Sequence, residues 1–192
     1  EKDQYKKYGR KAEIRELLKD SEEKMLGEVC EFKTGIKCSL TNEYDNNHGR
    51  NLIRINNLCN DNKFIKIGDN FKDKYKGVTV NHNDILIASV TNGYLQHKIV
   101  PEEWQGYNFN GALIKLYKIK INVNYLYFAL NYIENKILNR ASGVAQKNLS
   151  IKKIEDLKIP IPSQEIQQQC ITLFEEKENF IKSIDEKINS EK

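Results

Sequence analysis

The sequence predicts an α/β (α+β) fold: a twisted mixed β-sheet domain carrying a long C-terminal amphipathic helix. Three observations predict it. Short apolar runs, LIRI (52–55), DILIASV (84–90) and ALIKLYKI (112–119), have strand length and are rich in Ile, Leu and Val. Residues 123–141 place Leu126, Leu130, Ile133, Ile137 and Leu138 at helical spacing. Finally, Ile166, Cys170, Leu173, Lys177, Phe180, Ile184 and Lys187 follow a strict 4-3 alternation, flanked by Phe174, Ile181 and Ile188. That is the pattern of a helix with a wide apolar stripe, long enough for a coiled-coil-type contact. The 192 residues suffice for one cored domain plus an appended helix.

Taken in order, residues 10–25 read as a short helix, with Ile14, Leu17, Leu18 and Met25 near one face. Gly27 breaks that pattern and VCEFKTG begins a strand. Residues 36–51 are polar and turn-rich, hence loop. DILIASV is almost wholly apolar, so it is expected to be buried on both faces of a sheet. Residues 91–111 carry Gly93, Pro101, Gly106 and Gly111 among many amides. The helix over 123–141 has Asn124 as its N-cap and ends at Gly143. Ser150 caps one basic turn. The run LKIPIP follows, and its prolines place it at a sheet edge, because proline cannot donate to a strand ladder. Ser163 caps the last helix.

Charge is unevenly spread. Residues 1–28 hold 8 basic and 8 acidic side chains, residues 29–162 hold 19 against 12, and residues 163–192 hold 4 against 7. A body at +7 with a tail at −3 suits a body that meets a polyanion and a tail that does not. Lysine-rich composition alone would give the same surplus. No run approaches the roughly 18 apolar residues of a membrane span, and no secretory signal opens the chain. The first residue is not methionine, so a longer parent polypeptide is expected. Cys30, Cys38, Cys59 and Cys170 form no Cys-x-x-Cys pair, and only His48, His82 and His97 could join them. Reduced cytoplasmic thiols, with Cys30 and Cys170 in the core, are expected in place of a zinc site.

The chain reads as catalytically empty, with no cofactor and no metal. An amino-methyltransferase holds its target amine with an acidic or amide residue, two prolines and an aromatic, but Pro101, Pro160 and Pro162 are never adjacent. No glycine-rich cofactor loop and no phosphate-loop lysine occurs. Triplets such as Glu31-Phe32-Lys33 and Asp61-Asn62-Lys63 lack the Pro-Asp that precedes them in metal nucleases. His82-Asn83-Asp84 reads better as a turn into DILIASV. Cys30 or Cys38 paired with His97 has no supporting signature. What remains is a dense polar set directly after a buried strand: Thr91, Asn92, Tyr94, Gln96, His97 and Lys98. Binding residues favour loops on a rigid scaffold. Amides and cations can read base edges and phosphates. An ordinary solvated loop is the competing reading.

The segments LGEVCEFKTG, IRINNL, DILIASV, GALIKL and NYLYFALNY, and above all ASGVAQKNLSIKKIEDLKIPIPSQEIQQQ, resemble the target recognition domain of type I restriction–modification specificity subunits. The resemblance covers residue 26 to about 188. It implies a non-catalytic, sequence-specific DNA-binding module at 26–162, preceded by a helix or linker at 1–25 and followed by a spacer or dimerisation helix at 163–192. It implies double-stranded DNA as ligand, with modification and restriction subunits, or a fused catalytic domain, as partners; a homodimer through the last helix would also fit. Asn92, Gln96 and Lys98 become base-edge candidates, with Tyr94 packing on sugar or base. Lys37, Arg54, Arg140 and Lys147 would hold the backbone. Because 142–150 joins helix to strand in the family, Gln146 and Asn148 are read as scaffold ahead of readout. The docking face would be Ile166, Leu173, Phe174, Phe180, Ile181, Ile184 and Ile188. The sequence departs from the family where Asn83, not glycine, precedes Asp84, and where Thr91-Asn92-Gly93-Tyr94 replaces a Ser-Gly-rich run. Contacts at that loop therefore do not transfer. A catalytic domain in its own right and a protein–protein adaptor without DNA readout are the rivals.

Overall fold

The computed structural model describes residues 11–37, 44–45, 48–59, 64–69, 74–143 and 147–190. At its centre lies a four-stranded antiparallel sheet in the order β2–β10–β6–β8, built from Glu31–Thr34 (β2), Ile85–Ala88 (β6), His97–Ile99 (β8) and Leu113–Tyr117 (β10). DILIASV is buried on both faces, as its composition predicts, because the sheet separates two cores. Ile85 and Ile87 join one with Ile114 and Leu116; Leu86 and Ala88 join the other with Leu113, Phe109 and Trp104.

The first core is closed by helices. These are residues 11–18 (α1), Leu26–Val29 (α2), Val123–Tyr132 (α4), Glu134–Arg140 (α5), Ile151–Ile154 (α6) and the 27-residue Gln164–Ser190 (α7). Cys30 and Cys170 lie in it, as expected. The second core is closed by a smaller sheet in the order β3–β5–β4–β9: Tyr44–Asp45 (β3), Ile65–Ile67 (β5), Arg50–Ile53 (β4) and Asn108–Phe109 (β9). Its β4–β9 pair runs parallel, which makes the domain mixed. Ile55–Cys59 (α3) follows β4. Two more pairs complete the fold: Glu22–Met25 (β1) with Lys158–Ile161 (β12), and Val90–Thr91 (β7) with Lys147–Asn148 (β11).

Several local expectations need correction. The helix expected over 10–25 ends by Leu18, and Glu22–Met25 is a strand, because β12 offers it a ladder that no local signal announces. LIRI begins a strand but ends as a helix from Ile55, and strands occupy part of the supposed loop 36–51. The cap of α4 is Asn122, whose Oδ1 accepts from the N–H groups of Asn124 and Tyr125; Asn124 is two residues too late. Val29 closes α2 and the strand starts only at Glu31; the helix expected over 123–141 is divided at Ile133 into α4 and α5; and Ser150 precedes α6 without a side-chain capping bond. Two other expectations hold. Pro160 sits in a two-stranded pair, opposite Glu23, and Ser163 Oγ accepts from the Ile166 N–H at the start of α7.

The long helix divides along its length. Cys170 and Ile171 are buried and Phe174 meets the rings of Tyr127 and Phe128 at 6.0 Å each, so the first half packs on α4. Ile166 and Phe174 thus belong to the domain's own core and not to a free docking face; Leu173 is half-buried. Phe180, Ile181 and Ile184 are exposed. Ile188 lies within α7, but its side chain is outside the described set.

Candidate nucleic-acid interface

Strand polarity brings distant polar residues to one end of the central sheet. β2 and β6 finish there and β10 begins there, since Ile114 opposes Thr34 and Leu113 opposes Ala88. Backbone hydrogen bonds extend this end sideways. Gly35 N–H donates to Leu113 O at 3.2 Å, Ser89 N–H to Ala112 O at 2.8 Å, and Leu149 N–H to Ser89 O at 2.7 Å. β11 then pairs with β7, setting Lys147 opposite Thr91 and Asn148 opposite Val90. The turn at 142–150 and the loop at 91–98 are therefore neighbours.

The turn is closed by reciprocal bonds between the backbones of Ser142 and Asn148, and by Lys153, whose Nζ donates to Ser142 Oγ and Asn148 O. Lys147 and Asn148 are exposed on it. Gln146 lies outside the described residues, as do Cys38 and the Asp61–Lys63 triplet.

The loop at 91–98 is pinned at three points. Thr91 belongs to β7. Leu95 is buried, and its N–H donates to Glu134 Oε1 at 2.7 Å. His97 opens β8. Between the pins Asn92, Gly93 and Tyr94 project, with Gly93 at φ +93°, a left-handed turn that suits glycine. Tyr94 is 52% exposed, and its hydroxyl accepts from Gln96 Nε2 at 2.6 Å, so the two side chains form one polar tip.

Two residues expected in the displayed set turn inward. Thr91 is only 4% exposed, with Oγ1 enclosed and unbonded, so its side chain cannot meet a ligand in this conformation. His97 lies tilted against Tyr127 with ring centroids 4.5 Å apart, its Nδ1 lies 3.1 Å from Leu95 O and its Nε2 lies 2.9 Å from Asn131 Nδ2. Asn131 can only donate there, so Nε2 accepts and the proton sits on Nδ1. Burial holds the imidazole below its ordinary pKa and hence neutral. Lys98 is half-buried with its ammonium 4.8 Å over the Trp104 ring, on the face of the second core. Arg140 is exposed but ion-paired with Asp156, its Nη1 donating to the two carboxylate oxygens at 3.2 and 3.3 Å, which neutralises it locally. Lys37 is exposed just beyond β2, while Arg54, just beyond β4, is half-buried with its Nε enclosed and unbonded.

The groups considered for catalysis are occupied otherwise. Burial pushes the Cys30 thiol up to about 12 and that of Cys170 to about 11, far from a reactive thiolate. Asp84 is buried against Lys115 at 3.2 Å and accepts from the Asn81 N–H, the turn into β6 that the sequence suggested. Among the described residues no three His, Cys, Asp or Glu side chains gather as metal ligands, and no helix is long and apolar enough to cross a membrane.

An α/β scaffold with polar loops collected at one end of its central sheet has the form of a binding domain. The chain belongs to the type I restriction modification DNA specificity domain family, whose model matches residues 18–191. Its fold is that of solved specificity subunits. The HsdS subunit from Thermoanaerobacter tengcongensis matches with TM-score 0.66 at 15% identity, over 95% of this chain and 46% of that one. A chain from a study of complex assembly and conformational transition of the type I R-M system matches with TM-score 0.66 at 14% identity, over 94% and 48%. The type I S subunit from M. genitalium gives 0.53 at 16% identity, over 90% and 44%. The chain thus spans somewhat under half the length of each. No curated protein sequence matches it.

Proposed function

We propose that this chain is a DNA sequence-reading module of a type I restriction–modification assembly, with catalysis supplied by partner subunits or a fused domain. The observation that carries the reading is the β7–β11 pairing, which sets Lys147 and Asn148 opposite Thr91 and Val90, at the root of the loop that carries Asn92, Tyr94 and Gln96, in a family defined by DNA specificity. Tyr94 and Gln96 supply a ring and an amide for base contact, and Lys147 and Lys37 supply charge for phosphates. The recognition unit is 26–162 together with β1. The outer part of the 163–192 helix, through Phe180, Ile181 and Ile184, docks modification or restriction subunits or a second copy of the chain. The adaptor alternative predicts no DNA affinity.

The test is salt-dependent binding and the methylated sequence. Affinity of the domain for duplex DNA should fall steeply with salt, from non-specific values near 10⁻⁴ to 10⁻⁶ M at physiological ionic strength. Gln96→Ala in the complete methylating assembly should alter which sequence is methylated, at about 1–3 kcal/mol for a lost base contact. Salt-independent affinity, or an unchanged methylation pattern for every variant at 92, 94 and 96, contradicts the reading.

A further inference from the structure

The segment Asn108-Phe109-Asn110-Gly111 contains two asparagines with opposite fates. Asn108 is 1% exposed, and its Nδ2 is consumed by Tyr75 O at 3.0 Å and Val78 O at 2.7 Å. Asn110 is half-buried, and its side chain makes one bond: Oδ1 accepts from the Ala112 N–H at 3.2 Å. An N–H can only donate, so this contact fixes which end of the amide is which and leaves Nδ2 as a donor without a partner among the described residues.

The backbone around Asn110 is held from both sides. Its N–H donates to Ile53 O at 3.0 Å, and Gly111 N–H donates to Ile36 O at 2.7 Å. At Gly35 a Cβ would stand 2.0 Å from Asn110 O, so only glycine permits this crossing. These bonds place Asn110 beside the two cations that follow Ile53 and Ile36. Arg54 has no carboxylate partner among the described residues, and Lys37 runs along Gly111, where a Cβ would lie 3.2 Å from its Cγ. On the far side Ala112 leads through Ser89 to Leu149, hence to Lys147 and the loop tip. These backbone bonds order the segments as a strip, with Asn110 between those that carry Arg54 and Lys37 and the one that carries Lys147. A rigid backbone, an amide donor and flanking cations, none of them partnered among the described residues, are what base-edge reading requires: phosphate contacts set register and an amide specifies the base.

We propose that Asn110 is a specificity-determining residue that reads a base edge from the centre of this strip, with Arg54 and Lys37 holding the adjacent phosphates. The inference rests on the DNA-reading role above. An asparagine in that setting pairs its donor and acceptor with adenine, whereas a carboxylate accepts from cytosine. Asn110→Asp keeps the Oδ1 acceptor for the Ala112 N–H and removes only the donor.

In the complete methylating assembly, Asn110→Asp should lower methylation at the native site by about 5- to 150-fold, the equivalent of one lost base contact, and shift the preferred base at one position. Arg54→Ala should weaken all sequences alike. An unchanged motif and rate for Asn110→Asp, while Gln96→Ala changes the motif, overturns this proposal alone; no change from either overturns the DNA-reading role as well. Should Asn110→Asp fail to fold, a photo-crosslinking residue at the exposed Thr34 position, at the end of β2, gives the answer. Crosslinks within the recognised half-site are expected, and their absence while the native motif is still methylated overturns the strip.

Discussion

The two ends of the central sheet treat charge in opposite ways. At one end every prominent charge is answered. Asp84 meets Lys115, itself tied to Thr79 O at 2.8 Å, and Lys118 bonds Glu31 at 2.9 Å. The Lys118 cation in turn holds the Glu31 carboxyl below its ordinary pKa. At the other end Lys37, Arg54 and Lys147 have no ion-pair partner among the described residues, and Asn92 and Tyr94 project into solvent. A protein selected for stability alone would satisfy both ends. Leaving one unanswered costs little at the surface and keeps the cations available to an anion. On the proposed DNA-reading role, the difference separates the part of the sheet that holds the fold from the part offered to DNA.

The comparison breaks most visibly at the buried pair. Lys115→Met would strand the Asp84 carboxylate without its counter-ion and should cost about 3–5 kcal/mol, or roughly 6–20 °C in melting temperature for a domain of this size. The pH dependence gives a second reading. Burial raises the Asp84 pKa, outweighing the Asn81 N–H and Lys115, which lower it. The folded state therefore holds that proton more tightly than the unfolded chain, and Asp84's contribution is present at acid pH and lost as pH rises through its folded pKa. Removing Lys115 raises that pKa further. The deficit of Lys115→Met should be largest at neutral pH and should narrow in acid; a deficit that stays constant would mean Asp84 is not the stranded group.

The second prediction concerns the two halves of α7. Phe174→Ala should destabilise the domain by roughly 2–3 kcal/mol, below the range for a fully buried ring. Phe180→Glu with Ile184→Glu should change stability by less than about 0.5 kcal/mol, while preventing assembly with partner subunits or a second copy. Comparable melting losses for both would place the outer stripe in the domain core and remove the docking role.

How much of this was legible depends on where the determining partner lies. DILIASV announced its two-sided burial because it lacks alternation, and Ile-Pro-Ile-Pro announced its edge position because proline cannot donate. The helix at 123–141 was legible from its period, its cap only to within two residues. Glu22–Met25 was not legible, since a strand there depends on β12 from the far end of the chain. The site shows the same division. That 91–98 was a polar loop could be read directly. That His97 would turn inward could not, because Asn131 and Tyr127 on α4 decide it. Asn110 passed unnoticed for the same reason: its setting is made by Ile36 and Ile53, which the sequence keeps far apart.

The smallest expected effect sharpens the comparison most, because it tests pairing and not mere presence of charge. Arg140 and Lys147 are both exposed cations near the same turn, and sequence reasoning gave both to the DNA backbone. Arg140 is already paired with Asp156 through Nη1, each side chain about half exposed, while Lys147 has no such partner among the described residues. An exposed pair of that kind contributes about 0–1 kcal/mol, so Arg140→Ala should barely move the melting temperature. It should also leave DNA affinity nearly unchanged, because a phosphate would have to displace Asp156 for no net gain in charge. Lys147→Ala should weaken every sequence alike and reduce the slope of log affinity against log salt by about 0.9, the value for one phosphate contact. Measuring both slopes decides the matter. Equal reductions would show that DNA opens the Arg140–Asp156 pair, and the distinction between answered and unanswered charges would then fail at this end of the sheet.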